Sequence, residues 1–148
     1  MTDGPSILVV DDEADSRSLL TSILASEGYH VRAADSGRLG LASVDAWTPE
    51  LILLDVRMPG MDGFEVCRRL KAGDKSQRVP VVFITAASDV EERVKGLAAG
   101  AVDYISKPFQ REELLARVRT HIELSRLREN LERQVLERTA QLRSTVEV

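Results

Sequence analysis

With 148 residues, 20 Lys and Arg against 24 Asp and Glu, and a net charge of −4, the chain has room for one domain with a real core plus an appendage. The acidic balance argues against direct nucleic-acid binding by this chain. No run approaches ~18 consecutive apolar residues, and MTDGPS is not a basic-then-apolar leader, so a cytoplasmic protein without a membrane partner is expected.

Strands and helices alternate in chain order. SILVV (Ser6–Val10) is β-branched-rich and apolar, as a buried parallel strand should be, and a helix from about Glu13 follows with Leu19, Leu20, Ile23 and Leu24 on its face, stopping at Gly28. Tyr29–Ala34 is the second strand, and a helix over Gly37–Ala46 has Ser36 as its N-cap. Leu51–Asp55 is the third strand, and the turn VRMPGMDG leads into a helix from Phe64 to about Ala72. That helix carries the lone cysteine, Cys67, which excludes an internal disulfide and reads as a buried, inert thiol. Val79–Thr85 is the fourth strand, Ser88-Asp89-Val90-Glu91 forms a capping box for a helix ending at Gly100, Val102–Ser106 is the fifth strand, and Gln110 opens a fifth helix. Five β-α units with short loops predict a three-layer α/β/α sandwich around a five-stranded parallel sheet in the order 2-1-3-4-5, the flavodoxin-like arrangement.

From Gln110 to Val148 there is neither Gly nor Pro, with 8 Arg and 7 Glu, so the last helix outruns the domain. Leu124, Leu131, Arg138 and Thr145 share one heptad position and Arg128, Val135 and Leu142 the other, while Glu129–Arg133, Arg128–Glu132 and Arg133–Glu137 supply i,i+4 pairs. The division expected is a domain over 1–124 and a coiled-coil extension or linker over 125–148, pairing with a second copy through its apolar seam; a solvated linker helix is the alternative.

Four strands end on polar residues: the first on Asp11-Asp12, the third on Asp55, the fourth on Thr85 and the fifth on Lys107-Pro108. In an open parallel sheet the carboxyl ends share one rim, where ligands bind. Adjacent carboxylates at a strand end suit a hard divalent ion such as Mg2+, although either could simply cap a helix. A carboxylate such as Asp55, fixed by a buried strand, can be a nucleophile toward phosphorus or equally an Asp that starts a loop.

The set Asp11-Asp12, LILLDVRMPGMDG, Thr85-Ala86 and DYISKPF resembles the receiver domain of two-component response regulators, over roughly residues 5–124. That resemblance implies a phosphorylation-dependent switch rather than an enzyme with turnover. Asp55 would accept a phosphoryl group from a sensor histidine kinase or phosphotransfer protein. Asp12 and Asp55 would bind Mg2+ (or Mn2+) directly, with Asp11 acting through water and the Arg57 carbonyl completing the set. The Thr85 hydroxyl, the Ala86 amide and Lys107 would contact the phosphoryl group, and the Lys107-Pro108 peptide would be cis. Tyr104 matches the aromatic that swings inward when the threonine moves. Arg57 and Ala87 occupy positions that vary in the family and tune phosphate loss.

Two rivals share parts of this rim. A haloacid-dehalogenase-type phosphatase needs a second Asp two residues after the nucleophile, where this chain has Arg57, and a flavodoxin-like carrier would meet the acidic loop DDEADS. HIELSRL at His121 faintly echoes a kinase phosphohistidine box but lacks the acidic residue and proline that should follow, so His121 reads as a helix-surface residue; His30 has no evident partner.

Overall fold

The computed structural model describes residues 4–86 and 90–146, the last three of these by backbone alone. The strands are β1 (Ser6–Val10), β2 (His30–Ala34), β3 (Leu51–Leu54), β4 (Val81–Thr85) and β5 (Asp103–Ser106). They alternate with helices α1 (Ala14–Ser26), α2 (Gly37–Ala46), α3 (Gly63–Ala72), α4 (Val90–Ala98) and α5 (Arg111–Val146), and a 3-10 turn spans Ser76–Arg78. All strand pairs are parallel, in the order β2-β1-β3-β4-β5, as the alternation predicts.

The period-2 side-chain alternation of the central strands divides the core in two. Leu8, Val10, Ile52, Leu54, Val81 and Phe83 face Val44 of α2 and Phe64, Val66, Cys67 and Leu70 of α3. Ile7, Val9, Leu51, Leu53, Val82 and Ile84 face Leu20 and Leu24 of α1 and Leu114, Val118 and Ile122 of α5. Because both faces are covered, β1, β3 and β4 read as unbroken apolar runs. On α1 the buried pair is Leu20 and Leu24, with Ile23 partly packed; Leu19, expected on the same face, is exposed. β1 and β3 start where the sequence places them, while β2 and β5 start one residue later and β4 two residues later, after the 3-10 turn. Ser36 caps α2 by accepting from the Leu39 amide at 3.2 Å, while Ser88 and Asp89 of the expected capping box lie outside the described residues.

α5 is one continuous helix of 36 residues. Its first turns bury Leu114, Val118 and Ile122; beyond them Leu124, Leu127, Leu131, Val135, Leu136 and Leu142 are exposed. The extension is tied to the opposite end of the sheet from the rim. Arg126 donates two hydrogen bonds to Glu50, just before β3, at 2.9 and 3.0 Å, and Arg78 of the 3-10 turn donates to Glu132 at 2.6 Å. No helix among the described residues is long and apolar enough to cross a membrane.

Candidate functional site

The ladder hydrogen bonds run one residue past the strands and fix the rim. The Asp11 amide donates to the Ala34 carbonyl at 3.1 Å, Asp55 to Val10 at 2.9 Å and Lys107 to Thr85 at 2.8 Å. Two carboxylates and an ammonium therefore leave a common edge from rigid backbone.

The turn after β3 is built by its own residues. Gly60 has φ +80°, a left-handed conformation that glycine adopts without a Cβ penalty. Asp62 caps α3 by accepting from the Glu65 amide at 2.9 Å. The Gly63 amide donates to the Val56 carbonyl at 2.8 Å, and a Cβ on Gly63 would collide with the Asp55 carbonyl oxygen. Asp55 is thus backed by a helix start that only glycine can bring so close.

Carboxylate oxygens of Asp11, Asp12 and Asp55 lie within 4.8 Å of one another, with Asp11 and Asp55 buried and Asp12 exposed. Lys107 Nζ is 3.0 Å from Asp11 Oδ2 and 3.6 Å from Asp55 Oδ2. Asp11 accepts from the Glu13 amide at 3.0 Å on its other oxygen, so it shapes the entry to α1 and faces the rim together. Burial pushes Asp11 upward, but hydrogen bonds from Ser16, the Glu13 amide and Lys107 outweigh it and hold its carboxyl below the ordinary range. Burial raises Asp55 to about 6, against the pull of Lys107 and with the Asp11 charge adding to the rise. Burial lowers Lys107, yet the Asp11 hydrogen bond and the two carboxylate charges prevail and raise it. Three acids and a single ammonium make a site of surplus negative charge. Its hard oxygen donors fit a small divalent cation of the Mg2+ kind, with the Arg57 carbonyl two residues beyond Asp55.

Thr85 is buried at the end of β4, in register with Ser106, and Ala86 follows in an exposed bend. The Lys107–Pro108 peptide is cis. Tyr104 is half-buried, its ring tilted against Phe83 with centroids 6.1 Å apart and the Arg93 guanidinium 5.7 Å over it. Burial, then the Glu92 charge, raises its hydroxyl. Arg57 donates to Glu92 on α4 at 3.1 Å, a contact between residues too far apart in the chain to pair by pattern. Ala87 lies outside the described residues.

The two histidines take places away from the rim. His121 Nε2 is 2.9 Å from Asp103 Oδ2, which also accepts from Arg117 at 2.8 Å, so His121 is a paired residue between α5 and β5 rather than a free surface one. His30 meets Trp47 edge-on with centroids 5.7 Å apart. Cys67 is fully buried, its thiol pushed up by burial and donating to the Ala99 carbonyl at 3.4 Å.

A family model described as the response regulator receiver domain matches residues 7–119. MtrA, a DNA-binding response regulator of Mycolicibacterium paratuberculosis, is 45% identical over 116 residues, covering 78% of this chain and 50% of that protein. RpaA, a DNA-binding dual master transcriptional regulator of Synechocystis, is 40% identical over 115 residues, covering 78% and 48%. Among solved structures, Vibrio cholerae CheY4 superposes with TM-score 0.76 at 31% identity, covering 78% of this chain and 97% of that one. Brucella abortus NtrX gives 0.81 at 33% identity, covering 86% and 29%. The chain spans about half the length of the curated relatives it matches. These relatives overturn the partner set expected from the sequence, which admitted a kinase, a phosphotransfer protein and a second copy but no nucleic acid. Net charge describes only the segment it is counted over, and MtrA and RpaA, about half of whose length lies outside the matched segment, are DNA-binding regulators.

Proposed function

Since the chain belongs to the response regulator receiver domain family, it is a regulatory domain of two-component signalling, and we propose that it works by accepting a phosphoryl group on Asp55. The observation that carries this reading is the single ammonium of Lys107 set between Asp11 and Asp55 at the carboxyl ends of the sheet.

Phosphoryl transfer needs in-line positioning and positive charge at the equatorial oxygens more than it needs acid–base chemistry. Asp55 supplies the attacking oxygen, held by a backbone that cannot retreat because Gly63 backs it. Asp11, Asp12, Asp55 and the Arg57 carbonyl would hold Mg2+ or Mn2+. When bound, that ion supplies charge and orientation to the phosphoryl oxygens. Lys107 leaves Asp11 for a phosphoryl oxygen, the Thr85 hydroxyl and Ala86 amide donate to the others, and the movement of Thr85 opens space for Tyr104. The rearrangement thereby reaches α4, β5 and α5. The donor would be the phosphohistidine of a sensor kinase, with residues 1–124 as the switch, 125–148 as its helical extension, and the cytoplasm as its setting. For a protein carrying this domain, control of DNA binding is the output that the relatives' names favour.

Incubation with labelled acetyl phosphate and Mg2+ tests the assignment. The wild type is expected to take label and Asp55→Asn to take none; equal labelling of the two would refute Asp55 as acceptor.

A further inference from the structure

Arg57 leaves the backbone beside the proposed phosphoacceptor: its amide donates to Asp55 Oδ1 at 3.3 Å. Its guanidinium turns the other way. Arg57 Nη2 donates to Glu92 Oε1 on α4 at 3.1 Å, and the cation acting on the Asp55 carboxylate is Lys107. The Arg57 side chain is 68% exposed, so packing does not impose this direction. Glu92 does. Its side chain is only 24% exposed, and its second oxygen, Oε2, is buried with no hydrogen-bond partner among the described residues. A half-satisfied carboxylate relies on its one cation, and here that cation is Arg57.

We infer that Glu92 is a positioning residue that parks the Arg57 guanidinium off the phosphorylation site, and that Arg57, once released, forms an anion subsite for the phosphoryl group of a small donor. The inference rests on Asp55 being the acceptor. While parked, Arg57 is neutralised by Glu92, so an incoming phosphoryl dianion meets a Lys107 already shared between two carboxylates. Once free, the planar fork of N–H groups matches phosphoryl oxygens better than a point charge does. Only the Arg57 end of the parked pair is exposed, and a single hydrogen bond joins the two. Release therefore requires water to replace Arg57 at Glu92 and the arriving phosphoryl charge to offset the loss. The covalent step is unchanged by it. With acetyl phosphate, an Asp55 oxygen bonds to phosphorus as the phosphorus–acetate bond breaks, and acetate leaves with the electron pair.

The test follows Asp55 phosphorylation in Mg2+ against acetyl phosphate concentration for the full chain, Glu92→Gln, Arg57→Gln and the double variant. Glu92→Gln is expected to lower the half-saturating donor concentration roughly three-fold, the scale of one exposed charge contact, with the maximal rate little changed. The gain should vanish in the Arg57→Gln background and fade in about 1 M salt. In NMR spectra the Arg57 Nε–H resonance should move on Glu92→Gln and, in the wild type, on phosphorylation. An unchanged half-saturating concentration, a gain that persists without Arg57, or an Arg57 resonance indifferent to both changes would each overturn the inference. Label that survives Asp55→Asn would instead indict the acceptor assignment beneath it.

Discussion

Lys107 Nζ lies nearer to Asp11, at 3.0 Å, than to any other carboxylate with which it pairs, Asp55 being 3.6 Å away. The ammonium is therefore held in reserve on Asp11 while staying within reach of Asp55. Removing it leaves two buried carboxylates without their cation, a change that typically costs about 3–5 kcal/mol. Without divalent ions, Lys107→Ala is expected to melt well below the wild type, and Mg2+ should raise its midpoint more than it raises that of the wild type. Thermal melts with EDTA and with Mg2+ check this; equal melting temperatures in EDTA would contradict it.

Asp55 gives the metal-free protein a pH dependence whose sign is fixed by its shift. Its ordinary value is 3.8 and its folded value about 6, so between those limits the native state binds more protons than the unfolded one. Stability contributed by this group falls as pH rises through the window, by up to about 3 kcal/mol once pH exceeds 6. Asp11 acts oppositely and only at lower pH, since its folded value is depressed: its contribution is present above 3.8 and lost as pH falls through the folded value. Asp55→Asn is expected to be more stable than the wild type at pH 7 by about 2 kcal/mol in EDTA, with the difference shrinking toward pH 4. Urea denaturation at the two pH values measures it.

The forked contact of Arg126 with Glu50 fastens α5 to the base of the sheet. Both side chains are solvent-accessible, so a double-mutant cycle should return about 0.5–1 kcal/mol, less in high salt. Arg126→Ala is expected to speed hydrogen exchange of α5 amides near Glu132 while leaving β1, β3 and β4 protected. Uniform acceleration across the sheet would show that the contact supports the whole domain instead.

The sheet was legible because its strands, buried on both faces, are written as uninterrupted apolar runs such as LILL, and the rim because strand ends project polar residues to one edge. β2 is less legible, for HVRAA has a single bulky aliphatic residue and only Ala34 fully buried; its position as an edge strand explains that. The apolar stripe of α1 reads in sequence as Leu19, Leu20, Ile23 and Leu24, yet the sheet takes Leu20 and Leu24 with Ile23 partly packed, and Leu19, on the edge of that stripe, stays exposed. The Arg57–Glu92 and Arg126–Glu50 contacts left no trace in spacing: each joins elements whose approach is set by packing, between charged residues that pattern treats as solvated. The Gly63 contact was hidden within the motif MDG, where glycine looked like turn punctuation and serves to admit the Asp55 backbone.

Because α5 begins four residues beyond Lys107 and continues unbroken to Val146, it is a lever with one end at the rim and its fulcrum where Glu50 and Arg78 grip it. At about 1.5 Å per residue the part beyond Arg126 is about 30 Å long, so a pivot of about 5° displaces its tip by about 2–3 Å. A rotation begun at the rim is thereby carried outward past the base of the sheet, which a helix ending flush with the sheet would not do.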